Sequence, residues 1–208
     1  MPDWKIRPGK IICVGRNYRE HAKELGNEVP KEPLIFLKPP SSVVWGGEAI
    51  VLPDASNRVE HEGEIGVVVG KTLTRVSEAD AARGIRGIVA VNDVTARDLQ
   101  KSDGQWTRAK GFDTFCPLGE ESSELPDLES LTVVTRVNGV ERQRGKSSEM
   151  VFSIPSLLAY ISRIMTLEPG DLVATGTPSG VGPLVSGDVV EVEIAGVSRV
   201  SNPVQESQ

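Results

Sequence analysis

Hydrophobic residues in this chain fall in short runs broken by glycine, proline, asparagine and aspartate, a pattern of strands and tight turns rather than long helices. Strands are expected over residues 10–14, 34–37, 65–69, 85–91, 131–137, 171–175 and 189–194. Asn138-Gly139, set between VVTRV and VERQR, suits a two-residue hairpin turn because both residues tolerate positive φ. Ala195-Gly196 is a second candidate turn. The best amphipathic helix is SIPSLLAYISRIM, with Ser153 as cap, Pro155 in the first turn and a core-facing stripe of Leu157, Leu158, Ile161, Ile164 and Met165. Shorter helices are expected over 18–25, 77–83 (opened by a Ser-x-x-Asp box) and 95–101, and an acidic loop or hinge over 120–127. Strands and helices do not alternate regularly and no segment repeats. The expected fold class is therefore strand-rich α+β, mixed β with peripheral helices.

Composition changes this picture little. With 38% hydrophobic and 25% charged residues, 208 residues suffice for one domain spanning 1–208 that needs no disulfide staples. A net charge of −6 has the wrong sign for a partner with a phosphate backbone, so nucleic acid is not expected. No run approaches the ~20 apolar residues of a membrane helix, and MPDWKIRPGK lacks an apolar signal region. No membrane partner is expected and the cytoplasm is the expected location. Cys13 and Cys116 stand far apart without metal-site spacing, which fits a reducing compartment.

The chemistry concentrates in a few segments. In VEHEGEIGVVVG, strand alternation sends Ile65, Val67 and Val69 to one face and Glu62, Glu64, Gly66 and Val68 to the other. Same-side neighbours lie about 6.6 Å apart, close enough for two carboxylates to share one cation, although a solvated strand face reads the same way. Asp93, ending the run GIVAV, is the candidate third ligand or simply a helix cap. If helical geometry starts near Asp93, then Asp93, Arg97 and Gln100 share one face, where Arg97 could hold a substrate carboxylate bidentately, although a solvated helix face has the same spacing. His21 and Glu24 have the i, i+3 spacing of an oriented general base, and also of an ordinary helical surface pair. His61 points away from Glu62 on an ideal strand and reads as a supporting or packing residue. Lys110 could stabilise a developing enolate or be solvated. ATGTPSGVGPL lacks the Gly-Lys-Ser/Thr ending of a phosphate loop, so it reads better as a substrate-lining turn presenting the Thr177 hydroxyl.

Together CVGRNYREHAKELG, EHEGEIGVVVG, NDVTARDLQ with WTRAKGFDTFCPLG, VNGVERQRG, FSIPSLLAYIS and LEPGDLVATGTPSGVG resemble the fumarylacetoacetate hydrolase family, in its order and over nearly the whole chain. The likeness is greatest to its short single-domain acylpyruvase and oxaloacetate decarboxylase members. The resemblance implies a mixed β-roll, a homodimer and Mg²⁺, or Mn²⁺ in its place, held by Glu62, Glu64 and Asp93. It further implies Arg97, Gln100, Lys110 and Thr177 around the substrate and His21–Glu24 as a water-activating pair on a lid. Arg16 and Tyr18 also match, with pocket and scaffold roles both open.

The expected reaction is cleavage of the C3–C4 bond of a 2-oxo acid through a pyruvate enolate, by acylpyruvate hydrolysis, oxaloacetate decarboxylation or both. Rival readings are a decarboxylase/isomerase of unsaturated dicarboxylates, a non-catalytic 2-oxo acid binding protein and a Schiff-base enzyme using Lys110. The substrate tail is expected to meet loops 26–33 and 120–127.

Overall fold

The computed structural model describes residues 7–24, 26 and 28–207. Leu25 and Asn27, on which the expected end of the first helix and part of loop 26–33 fall, lie outside the described residues. In chain order the strands are β1 Ile11–Gly15, β2 Leu34–Lys38, β3 Val43–Trp45, β4 Ile50–Leu52, β5 Val59–His61, β6 Gly63–Val69, β7 Ile85–Asn92, β8 Thr95–Ala96, β9 Cys116–Leu118, β10 Thr132–Val137, β11 Val140–Lys146, β12 Leu172–Ala174, β13 Gly182–Pro183, β14 Val189–Ile194 and β15 Ser198–Glu206. The helices are α1 Arg19–Glu24, α2 Glu78–Arg83, α3 Arg97–Ser102, α4 Thr107–Lys110 and α5 Ile154–Ile164. Among the described residues no helix is long and apolar enough to cross a membrane.

A seven-stranded sheet in the order β2-β1-β12-β6-β7-β9-β3 forms the centre, beside a five-stranded sheet β11-β10-β14-β15-β4 and a small one, β13-β5-β8. Pairing is mixed: β1 runs parallel to β12, whereas β6 is antiparallel to both β12 and β7. The architecture is the strand-rich α+β type with peripheral helices. Both faces of the central sheet are buried, which is why its strands read as near-continuous apolar runs. Ile12, Val14, Ile65, Val67, Ile88 and Val173 pack with Leu157, Leu158 and Ile161 of α5 and with Val133, Val192 and Ile194 of the second sheet. Ile11, Cys13, Val68, Val89, Val91 and Leu118 fill the opposite side.

Local chemistry sets the turns and caps. Asn138 and Gly139 take φ of 52° and 78° and join β10 to β11, while Gly196 at 72° turns β14 into β15. The Ser153 side chain accepts from the Ser156 N–H at the start of α5, and Ser77 does the same for Asp80 in α2. One expected boundary moves. Thr95 and Ala96 are not helical but pair with Glu60 and Val59 as β8, so α3 starts at Arg97. Two ladder positions beside a buried strand outweigh the helix propensity of this stretch.

Candidate metal and substrate site

The antiparallel register of β6 and β7 places Gly63 opposite Asn92, so the residues just beyond that pair, Glu62 and Asp93, meet at one end of the ladder. The Asp93 N–H donates to the Glu62 carbonyl at 2.8 Å, and the Glu62 N–H donates to the Asn92 side-chain oxygen at 3.0 Å. Gly63 permits this crossing, since a Cβ there would lie 1.9 Å from the Thr135 hydroxyl of β10. One carboxylate oxygen from each of Glu62, Glu64 and Asp93 lies within 4.8 Å of the others, and all three residues are buried.

Cations surround these acids. Lys110 Nζ, at the end of α4, donates to Glu62 Oε2 at 2.8 Å and to Asp93 Oδ2 at 2.6 Å. Lys38 Nζ, at the end of β2, donates to Asp93 Oδ1 at 2.6 Å and to the Val94 carbonyl at 3.1 Å. Arg97 donates from Nε to Glu60, from one terminal nitrogen to Gln100 and from the other to Glu62, at 2.6–2.7 Å. Burial opposes ionisation of Glu62, but Lys110 and Arg97 outweigh it and hold the carboxyl below the usual range. Glu64 goes the other way: burial, then the charges of Asp93 and Glu62, push its pKa well up, against the Gly176 N–H that it accepts at 2.8 Å. Burial would neutralise Lys110, yet Asp93 and Glu62 raise its pKa. An ammonium held this way is a poor nucleophile, which counts against the Schiff-base reading.

The donor set fits a hard divalent cation. Three buried carboxylates suit Mg²⁺ or Mn²⁺ rather than a thiophilic metal. Glu64, buried beside two other acids and with only the Gly176 N–H as hydrogen-bond donor among the described residues, is the acid whose negative charge such a cation would stabilise.

The cleft over the acids offers about 50 Å³ to water and is lined by Val14, Arg16, His21, Phe36, Trp106 and Thr177 besides the charged groups already named. Phe36 and Trp106 meet edge-to-face at 5.1 Å between ring centres, and Lys110 Nζ stands 5.0 Å from the Phe36 centre. His21 Nδ1 lies 3.2 Å from Glu24 Oε2, and the Glu24 carboxylate accepts the Gly180 N–H at 3.0 Å. The His21–Glu24 pair is thus tied to the turn that follows Thr177.

The structure brings His21, Glu62, Glu64, Asp93, Arg97, Gln100, Lys110 and Thr177 to one cleft, with Glu24 beside it through its contact with His21. The route differs from the expectation in three respects. Asp93 precedes β8 and does not share a helix face with Arg97; only Arg97 and Gln100 belong to α3. Each Arg97 nitrogen already serves a protein acceptor, so its guanidinium is not a free fork awaiting a carboxylate. The Thr177 hydroxyl donates to the Gly63 carbonyl at 2.9 Å and accepts from Gln143 at 2.7 Å, so it braces the site while lining it.

Neither loop 26–33 nor loop 120–127 lines the cleft among the described residues. Residues 120–123 border a separate shallow groove of about 1030 Å³ that contains none of the acid cluster. Arg16 lines the cleft, whereas Tyr18 is buried and bridges to Met150. His61 is a supporting residue, bonded through Nδ1 to Gln143 at 3.0 Å, and burial lowers its pKa toward the neutral form.

Lys38, Glu60 and Gln143 were not visible as site residues from the sequence. Lys38 left a faint signal as the one charge closing the apolar run LIFLK. Glu60 stands beside the acids already singled out. Gln143 left none, because its strand is mostly exposed and reads as surface.

A strand-rich α+β chain with a buried acid cluster at the end of an antiparallel ladder defines the class of protein. Residues 10–205 match the family model described as fumarylacetoacetate (FAA) hydrolase C-terminal. The chain is 46% identical over 205 residues to the mitochondrial oxaloacetate tautomerase FAHD1 of Arabidopsis thaliana, covering 94% of this chain and 91% of that protein. It is 44% identical over 212 residues to the oxaloacetate tautomerase YisK of Bacillus subtilis, covering 95% and 70%. A solved structure named 5-carboxymethyl-2-hydroxymuconate delta-isomerase from Mycobacterium smegmatis superposes with a TM-score of 0.92 at 43% identity, over 99% of this chain and 82% of that one. This chain belongs to the fumarylacetoacetate hydrolase family.

Proposed function

We propose that this chain is a divalent-metal-dependent enzyme of small 2-oxo acids that works through the enolate at C3. In oxaloacetate that enolate interconverts keto and enol forms; where the C3 substituent can depart, the same enolate is left by cleavage of the C3–C4 bond. The observation carrying this reading is the buried convergence of Glu62, Glu64 and Asp93 with the Lys110 ammonium, beneath the His21–Glu24 pair. Relatives named oxaloacetate tautomerase support the keto–enol step.

Mg²⁺ or Mn²⁺ held by Glu62, Glu64 and Asp93 would supply Lewis-acid polarisation of the 2-oxo group. Lys110 adds positive charge where the enolate develops, beside the apolar rings of Phe36 and Trp106. Arg97 and Gln100 orient the acid head through the N–H groups that their internal bonds leave over. For tautomerisation, His21 takes the C3 proton and returns one to the oxygen. For an acylpyruvate, His21 takes a proton from water, the hydroxide adds at C4, and the C3–C4 electron pair goes to C3 to leave pyruvate enolate and a carboxylic acid. For decarboxylation the same pair remains at C3 as CO₂ departs, and no water attacks. The name of the mycobacterial neighbour favours a second reading, isomerisation of unsaturated dicarboxylates by the same proton transfer.

The test is turnover of enol-oxaloacetate, keto-oxaloacetate and acetylpyruvate with Mg²⁺ and with excess EDTA, corrected for spontaneous decay. EDTA and Glu64→Ala are expected to abolish turnover. His21→Ala is expected to cut hydrolysis by about 10²-fold or more while decarboxylation falls much less, because only hydrolysis needs an activated water. Equal losses would sink that division of labour, and EDTA-insensitive turnover would sink the metal mechanism.

A further inference from the structure

We propose that Arg16 sets the substrate class, its guanidinium receiving the distal carboxylate of a dicarboxylic 2-oxo acid. The proposal rests on the 2-oxo acid reading above and narrows it.

Arg16 directly follows β1 and is half-buried in the cleft wall. Its φ is 60°, the left-handed region that disfavours any residue with a Cβ and that glycine would occupy freely. The conformation is fastened from the next residue. Asn17 Nδ2 donates to the carbonyls of Thr175 at 2.8 Å and Phe152 at 3.1 Å, and Asn17 Oδ1 accepts the Phe152 N–H at 2.8 Å. On the other side, β1 is locked in register with β12, Cys13 opposite Ala174. Strain held in place by its surroundings, on the wall of a cleft, points to a use for the side chain.

Charge supplies the second observation. The other strong cations lining the cleft are largely taken up by protein groups, Lys110 by Glu62 and Asp93 and Arg97 by Glu60, Glu62 and Gln100, with the spare N–H groups of Arg97 assigned to the acid head. Arg16 has no hydrogen bond or ion pair among the described residues. A half-buried guanidinium with all its donors free favours a planar carboxylate that it can take bidentately. The inner end of the cleft cannot serve a second carboxylate, because three acids already converge there. A substrate with only the 2-oxo acid head has nothing to offer Arg16, whereas a dicarboxylate does.

The test compares binding of pyruvate, which is the head alone, with binding of 3,3-difluorooxaloacetate, which adds the distal carboxylate and cannot enolise at C3. Both are titrated calorimetrically into the Mg²⁺-loaded protein. Arg16→Gln is expected to weaken the difluoro dicarboxylate by about 30-fold, the scale of a lost charge-assisted pair, while pyruvate changes by less than about 3-fold. Arg16→Lys is expected to restore part of the loss. Arg16→Gly, which relieves the left-handed strain, is expected to lose the dicarboxylate preference without lowering the thermal midpoint. Equal weakening of both ligands, undiminished binding of the dicarboxylate, or an Arg16→Gly midpoint lower by more than about 5 °C would each show a scaffold role and overturn the assignment, with the 2-oxo acid reading left standing. Wild-type protein that binds neither ligand would remove that reading and this assignment with it.

Discussion

Lys38 is wholly buried, and its ammonium reaches Asp93 at 2.6 Å from a strand 55 residues earlier in the chain. Removing one partner of a buried ion pair leaves the other desolvated and uncompensated. Lys38→Met should therefore destabilise the metal-free protein by about 3 kcal/mol, read from urea unfolding, with Lys110 retaining part of the Asp93 charge. A loss near zero would mean that Lys110 alone balances Asp93. The buried thiols make a prediction with a definite pH sign. Burial, with help from Asp93 and Glu64, pushes the Cys116 thiol up to about 12, and burial raises Cys13 too. The thiolate is the reactive form, so neither cysteine should react with an aromatic disulfide reagent at pH 8 in the native state, and both should react once unfolded. Fast native-state labelling would contradict the burial of both.

Elements are joined at this site by Gln143 of β11. Its Oε1 accepts from the Gly63 N–H and from His61, each at 3.0 Å, and its Nε2 donates to Thr177 at 2.7 Å and to the Pro178 carbonyl at 2.8 Å. A backbone N–H can only donate and a carbonyl can only accept, so the amide orientation is fixed and His61 must carry its proton on Nδ1. One side chain thereby clamps β5 and β6, which flank Glu62, to the turn whose Gly176 and Gly180 N–H groups hold Glu64 and Glu24. Gln143→Met strands the Gly63 N–H and the Pro178 carbonyl, at an expected cost of about 2–4 kcal/mol. Amide exchange at Gly176 and Gly180 should rise in this variant; unchanged exchange would show that the turn holds itself.

Elements also mark how far the chain could be read in advance. The strands were legible wherever apolar alternation ran for several residues, as in β6, β7, β10 and β14. The two- and three-residue strands β5, β8 and β13 were not, because so short a ladder has no period of its own and exists only by pairing. The β8 ladder also displaced the start of α3, so Asp93 and Arg97 line the cleft from the two ends of β8 rather than from one helix face.

Across the whole molecule, a cation on the carboxylate trio would link ligand binding to stability. A cation that binds the folded state and not the unfolded chain adds about 2.7 kcal/mol at a hundredfold excess over its dissociation constant. Mg²⁺ or Mn²⁺ should therefore raise the thermal midpoint of the metal-free protein, and Glu64→Ala should abolish the rise while leaving the fold intact. A midpoint indifferent to both ions would count against the trio as a metal site.

By itself the amino-acid sequence determined the fold class and the turns at Asn138 and Gly196 and singled out Glu62, Glu64 and Asp93 as candidates, because alternation, turn chemistry and charge at the ends of apolar runs are local properties. Only the tertiary structure decided what surrounds those acids. Lys38, Glu60 and Gln143 act across sheet pairings whose order no local period encodes. Arg97 changed from a free clamp to an internally bonded one once β5 set Glu60 beside it. Arg16 separated from Tyr18 because Arg16 lines the cleft and Tyr18 is buried, a difference that arises from how distant segments close around the end of β1.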